Sequence, residues 1–97
     1  MNDAGVHHNL AYTLAKLGRT DEAIGEYQAA LRLDPERRLT LTLLAQALAA
    51  RGRFPEAAGV CERALRLAQS AGDFEQAEAC ARRLACYRAG KPFEPGR

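Results

Sequence analysis

The sequence contains no tryptophan, only three tyrosines and three phenylalanines, and only three cysteines among 97 residues. The cysteines, Cys61, Cys80 and Cys86, are odd in number and form no CxxC pair, so they predict neither a closed disulfide framework nor a zinc site. Because each lies in an alanine-rich stretch of helical character, we expect small, buried, free thiols. Free thiols favour a reducing compartment, here the cytoplasm, although they do not exclude secretion.

The sequence also lacks a strong charge of either sign. It has 14 Lys and Arg residues against 12 Asp and Glu residues, which gives a net charge of +2. The arginines are interleaved with carboxylates, a pattern typical of a solvated mixed-charge surface and not of a phosphate-binding patch. No basic leader followed by an apolar segment opens the chain, and no run of about 18 apolar residues occurs. We therefore expect no nucleic-acid partner and no membrane insertion by this chain alone.

Catalytic and metal-binding motifs are missing as well. There is no GxSxG, Walker, GxGxxG or HExxH motif. His7 and His8 are adjacent, so on a helix they point about 100° apart and cannot chelate one metal ion from one face. A Cys–His pair formed in space with the distant Cys80 or Cys86 is the catalytic alternative that the sequence leaves open. We expect no enzymatic activity, no metal and no cofactor.

What the sequence does contain is an internal repeat. A shift of 34 positions brings thirteen residues of 4–37 into identity with residues of 38–71 without a gap. Gly18-Arg19 falls on Gly52-Arg53, and residues 30–33 and 64–67 both read Ala-Leu-Arg-Leu. A period of this length indicates stacked supersecondary units.

Within each unit the apolar residues recur three and four positions apart, as they do on one face of an amphipathic helix. Gly18 and Gly52 interrupt this pattern, and Asp34-Pro35 ends it because the residue before proline resists the α conformation. The pattern predicts five helices, at about 4–17, 20–33, 37–51, 55–70 and 73–88, and a flexible tail at 89–97 that reads "GKPFEPGR" from Gly90 onwards.

These units resemble the tetratricopeptide repeat (TPR). The first, about 4–37, supplies the signature residues His7, Leu10, Ala11, Leu14, Gly18, Ala23, Tyr27, Ala30 and Pro35. The second, about 38–71, supplies Leu41, Leu44, Ala45, Leu48, Gly52, Ala57, Cys61, Ala64 and Gln69. The two units depart from the family pattern at four positions. His7 and Leu41 replace its first aromatic residue, Cys61 replaces the second aromatic residue in the second unit, and Gln69 replaces the closing proline there. The resemblance implies an all-α fold, a right-handed α-solenoid of antiparallel helix pairs, occupying residues 1–88.

After Gly72 the register of the repeat is lost. We expect the fifth helix, about 73–88, to cap the open apolar end of the solenoid. This interpretation places Ala77, Ala81 and Leu84 against the stack, and Glu75, Glu78, Arg82 and Arg83 in water. No polar capping helix precedes the first repeat, so its N-terminal face is available for self-association or for stacking within a longer array.

In the TPR family, the first helix of each pair lines a concave groove that holds extended or helical peptides. Carried onto this sequence, the groove positions are His8, Asn9, Tyr12, Lys16, Leu39, Thr42, Leu43 and Gln46. The alternative is that these are ordinary solvated helix residues. Two features favour a groove: Leu39 and Leu43 stand one turn apart where packing does not need both, and the Tyr12 ring lies beside Asn9. His7 falls on the packing position of the repeat and is expected in the core.

Some TPR domains clamp a C-terminal carboxylate with a lysine and asparagine set. Here His8, Tyr12 and Leu43 occupy three of those positions, so a carboxylate clamp is not supported. The sequence thus predicts a non-catalytic protein–protein interaction module that binds a peptide or partner helix through apolar anchors. The alternative is an architectural or self-associating segment of a longer TPR array in a larger protein, in which Leu39 and Leu43 would be buried.

Overall fold

The structure is a computed structural model that describes residues 3–93. Over this range it contains five α-helices and no strand. The helices are α1 (Ala4–Lys16), α2 (Thr20–Leu33), α3 (Arg38–Ala50), α4 (Phe54–Ser70) and α5 (Phe74–Arg88). The predicted helices are confirmed, each boundary to within one residue.

Each helix packs mainly against its neighbours in the chain. Contact is most extensive between α1 and α2 and between α4 and α5, followed by α3 with α4 and then α2 with α3. The first helices of the two repeats, α1 and α3, touch along a narrow line only. Helical hairpins that stack in sequence order form a solenoid, which confirms the predicted fold class.

The turn inside each repeat is built around a glycine in the left-handed conformation. Gly18 has a φ of 79° and Gly52 a φ of 74°, values that side chains with a Cβ rarely adopt. The next residue in each case donates its backbone N–H to the helix it leaves: Arg19 to the Leu14 carbonyl at 2.9 Å and Arg53 to the Leu48 carbonyl at 2.9 Å. These are Schellman motifs, which satisfy the last carbonyls of α1 and α3 and reverse the chain.

Alanines occupy the tightest positions between the helices. Ala11, Ala23, Ala45 and Ala57 are each 0% exposed. A methyl group is the largest side chain that fits where two helix backbones approach this closely. The small alanine side chains therefore set the spacing between the helices. Tyr27 and three leucines of α3, Leu41, Leu44 and Leu48, fill the wider spaces around them.

The fifth helix covers α4, but not with the face that the sequence suggested. Ala77 and Leu84 are buried as expected, whereas Ala81 is exposed and Cys80 and Tyr87 are buried in its place. The buried residues are spaced by three and four along one stripe of α5, from which Ala81 is rotated away.

A cysteine thiol of α4 bonds to the backbone of α5 without a disulfide. Cys61 and Cys80 are buried, Cys86 is half-buried, and all three are free. The Cys61 thiol donates a hydrogen bond to the Cys80 carbonyl at 3.2 Å. Burial raises the pKa of Cys61 to about 11, so the thiol stays protonated and unreactive at neutral pH.

The segment after α5 turns back onto the protein. Gly90, with a φ of 71°, ends the helix, and the Lys91 N–H donates to the Cys86 carbonyl at 2.9 Å. Phe93 then packs against the hydrophobic core, with the Arg83 guanidinium carbon 5.0 Å from its ring centroid. Arg83, expected in water, is therefore half-buried. Of the tail predicted to be flexible at 89–97, residues 94–97 lie outside the described residues.

Candidate functional site

A cavity of about 280 Å³ lies between the first helices of the two repeats. Four of the predicted groove residues line it: Tyr12 and Lys16 from α1, and Leu43 and Gln46 from α3. The other lining residues are Ala15, Thr20, Tyr27, Ala47 and Ala50. We call this cavity the first subsite.

The small residues of α1 and α3 create this space. Ala15, Ala47 and Ala50 carry only methyl groups, so the two helices enclose a hollow between the larger side chains that flank them. Tyr27, which is 1% exposed, closes it from α2. Tyr12 stands at the rim and is 46% exposed, which leaves its ring available to a ligand.

Lys16 gives the rim a positive charge. Its Nζ lies 5.2 Å from the centroid of the Tyr12 ring, a cation–π contact. Within residues 3–93 Lys16 forms no ion pair, unlike Arg51 on the neighbouring turn, whose Nε is 3.0 Å from the Asp21 Oδ1. The site therefore combines apolar walls with one lysine that has no counter-charge in the described structure.

Two of the predicted groove residues are buried and cannot meet a ligand. His8 is only 8% exposed: its Nδ1 is 2.8 Å from the Thr40 Oγ1, and its ring meets the Tyr27 ring edge-on with the centroids 5.7 Å apart. Thr42 is 7% exposed, and its hydroxyl donates to the Arg38 carbonyl at 3.0 Å. The prediction that both side chains face the groove is wrong.

The two histidines have exchanged the places that the sequence suggested. His7, expected in the core, is only half-buried and holds Glu26 of α2, with 2.7 Å between its Nδ1 and the carboxylate. The reason is the rotation of α1, whose buried residues are His8, Ala11 and Leu14. Burial lowers the pKa of His8 below its usual value, and the nearby positive charge of Arg37 lowers it further, so the imidazole is neutral at physiological pH.

The remaining two predicted residues, Asn9 and Leu39, are exposed but do not line the first subsite. Leu39 is 62% exposed near the start of α3. It therefore lies on the same helix as Leu43 without sharing its cavity.

A second cavity, also about 280 Å³, lies beside the first and was not predicted. It shares Gln46 and Ala50 with the first subsite, and is otherwise lined by Ala49, Tyr87, Pro92 and Phe93. The one sequence signal was the apolar Pro92-Phe93 pair in the tail, which reaches this place only because the chain reverses at Gly90. We call this cavity the second subsite.

Within residues 3–93, no group of three or more His, Cys, Asp or Glu side chains is arranged to hold a metal ion. No helix in that range combines the length and the apolar character needed to cross a membrane.

Helical hairpins stacked in sequence order define the class of the protein, a helical-repeat solenoid. The family follows from comparison with known sequences. A sequence profile described as tetratricopeptide repeat matches residues 8–71, more than half of the chain, and the chain belongs to that family. None of the curated proteins compared with the chain is significantly similar to it. Members of the TPR family are in general non-catalytic protein–protein interaction modules.

Proposed function

We propose that this chain is a non-catalytic binding module that holds a peptide or partner helix in the groove between α1 and α3. The observation that supports this most directly is the first subsite, where an exposed tyrosine and a lysine that forms no ion pair within residues 3–93 flank an apolar hollow. Its volume of about 280 Å³ lies just below the range of about 300–1,000 Å³ typical of small-molecule sites. A hollow of this size suits an anchoring side chain better than a whole cofactor.

Protein is a better match than nucleic acid for this surface. Most of the exposed arginines near the turns already face carboxylates: Arg19 meets Glu22 at 2.7 Å and Arg53 meets Glu56 at 2.7 Å. Cations that are neutralised in this way contribute little to phosphate binding. The buried free cysteines suit a cytoplasmic setting for this module.

Selection from a phage-displayed library of random short peptides tests the proposal. The purified chain should enrich peptides that share an apolar anchor. Tyr12→Ala and Leu43→Ala should each weaken a selected synthetic peptide more than about fivefold, because truncated anchors of this kind typically cost over 1 kcal/mol. Leu33→Ala is the matched control, since Leu33 is 49% exposed and lines neither subsite. Failure to enrich any peptide, or equal losses in all three variants, would contradict groove binding.

One observation favours a second candidate, self-association or stacking through the N-terminal face. Val6 and Leu10 on α1 are 57% and 46% exposed, and Leu17, directly after α1, is 67% exposed. Their counterparts one period later include Thr40 and Leu44, which α2 and its neighbours bury to 0% and 3% exposure. In sedimentation velocity, this candidate requires association that grows with concentration and that Leu10→Glu abolishes. A monomer at all concentrations excludes it.

A further inference from the structure

The tail residues Pro92 and Phe93 extend the groove beyond the two repeats. They form one wall of the second subsite, opposite Gln46, Ala49 and Ala50 of α3, and Tyr87 of α5 closes it. Because Gln46 and Ala50 line both subsites, the two hollows flank one turn of α3 and open onto the same surface. A ligand segment that crosses this turn of α3 would contact both subsites.

Three contacts hold the wall in place. The turn at Gly90 is fixed by the hydrogen bond from the Lys91 N–H to the Cys86 carbonyl, 2.9 Å long. The Arg83 guanidinium lies 5.0 Å from the Phe93 ring centroid, a cation–π contact. The ring also packs against the core. The second subsite thus has a defined wall, supplied by residues that follow the last helix.

Charge complementarity indicates what else the ligand carries. Lys16 lies at the rim of the first subsite and forms no ion pair within the described part of the chain, and no acidic side chain lines either subsite. A carboxylate on the ligand would meet a cation that has no competing partner there. A positive charge on the ligand would find no acidic side chain in the lining of either subsite.

We propose that the groove has two apolar subsites, and that its occupant is a partner-protein segment with two apolar side chains and a carboxylate placed to meet Lys16. This inference rests on the function proposed above and adds the class of ligand. One apolar side chain enters between Tyr12 and Leu43. The other enters between Ala49 and Phe93, on the far side of Gln46.

The same random-peptide selection tests the inference when it is repeated with variants. Against the native chain, enriched peptides should share two apolar positions and one acidic position. Against Phe93→Ala, the second apolar position should drop out of the motif while the first remains. Against Lys16→Gln, the acidic position should drop out. Phe74→Ala is the matched control for loss of a phenylalanine: Phe74 is 76% exposed, lines neither subsite and should leave the motif unchanged.

Methyl NMR on the selected peptide gives a second readout that does not depend on the variants. In a chain labelled at its alanine methyl groups, the two-anchor peptide should shift both Ala47, in the first subsite, and Ala49, in the second. A peptide whose second anchor is replaced by alanine should shift Ala47 alone and bind roughly five- to tenfold more weakly.

The outcomes separate the two proposals. If no peptide is enriched, the groove function itself fails. If peptides are enriched with a single apolar position, shift only Ala47 and are indifferent to Phe93→Ala, the groove function stands and the second subsite is refuted. An unaltered acidic preference in Lys16→Gln would overturn the charge assignment. Circular dichroism melts of each variant show whether a lost motif reflects lost folding.

Discussion

The outer face of α1, which carries Leu10, and the face of α3 that carries Leu44 hold equivalent positions of the repeat, but only the first is exposed. Leu10 and Leu44 occupy the same place 34 residues apart, yet Leu10 is 46% exposed and Leu44 is 3% exposed. The difference is that α2 lies against α3, whereas no described helix lies against that side of α1. Burial in a solenoid is therefore supplied by the preceding hairpin and is not a property of the repeat by itself.

The faces of α1 and α3 that line the first subsite differ in chemistry rather than in burial. Tyr12 and Lys16 of α1 correspond to Gln46 and Ala50 of α3 after the same shift. The aromatic and charged groups of the first subsite thus come from one repeat, and the small residues that make room come mostly from the other. The groove is asymmetric although the scaffold repeats.

The largest expected effect comes from truncating the two equivalent leucines. Leu44→Ala should lower the free energy of unfolding by about 2–5 kcal/mol, because it leaves a cavity between α2 and α3. Leu10→Ala should change it by no more than about 0.5 kcal/mol, because the side chain is already half in water. Urea unfolding followed by circular dichroism measures both. Equal losses would mean that the outer face of α1 is covered in solution.

Overpacking the α3–α4 hairpin should lower the free energy of unfolding somewhat less than Leu44→Ala does. Ala57 of α4 is 0% exposed, so Ala57→Leu should push α3 and α4 apart and destabilise the protein by about 1–3 kcal/mol. Ala81→Leu, on the exposed side of α5, is the control and should leave the melting temperature nearly unchanged. If the melt of Ala57→Leu is also unchanged, the close approach of α3 and α4 is wrong.

Substitution of two glycines in the α3–α4 hairpin should change the free energy of unfolding by smaller amounts and in opposite directions. Gly52→Ala should destabilise the chain by about 1–2 kcal/mol, since its φ of 74° places a Cβ in an unfavourable left-handed conformation. Gly59→Ala should stabilise it by about 0.5–1 kcal/mol, because Gly59 lies inside α4 and a Cβ added there meets nothing within 4 Å. Thermal melts of the two variants should move in opposite directions. A shift of the same sign in both would contradict the turn geometry.

The smallest effect concerns the junction of α1, α2 and α3. Because the pKa of His8 is lowered from 6.5 by burial, the unfolded chain binds more protons than the folded chain as the pH falls through 6.5. The stabilisation from neutral His8 is therefore fully present above pH 6.5 and is lost progressively below it. His8→Gln removes this titration and retains a group that can bond to Thr40.

Urea unfolding between about pH 7.5 and about pH 5 compares the two proteins, since carboxylates titrate in both. The free energy of unfolding should fall less steeply with acidification in His8→Gln than in the native chain. Parallel pH profiles would show that His8 is not buried as described.

The fold was readable from the sequence because its determinants are local. Gly18 and Gly52 mark the turns, Asp34-Pro35 marks the end of α2, and the spacing of alanines and leucines marks the helices. Each of these signals acts within a few residues of the structure it specifies.

The site was only partly predictable, because it depends on helix rotation and on distant contacts. Neighbouring residues of a helix point about 100° apart. Placing the buried face of α1 one residue too early was therefore enough to exchange the expected environments of His7 and His8. Thr42 was misplaced on α3 in the same way. The second subsite needs Phe93 to meet Ala49, more than forty positions earlier in the chain, and no local pattern encodes such a contact.

The repeated glycine turn also bears on how quickly this protein forms. Since each Schellman motif closes a hairpin between helices adjacent in the chain, most native contacts bring together residues that are near in sequence. Chains dominated by such short-range contacts fold in microseconds to milliseconds. Folding can begin at either hairpin and spread to the next, so a lesion in one repeat should leave the other able to nucleate.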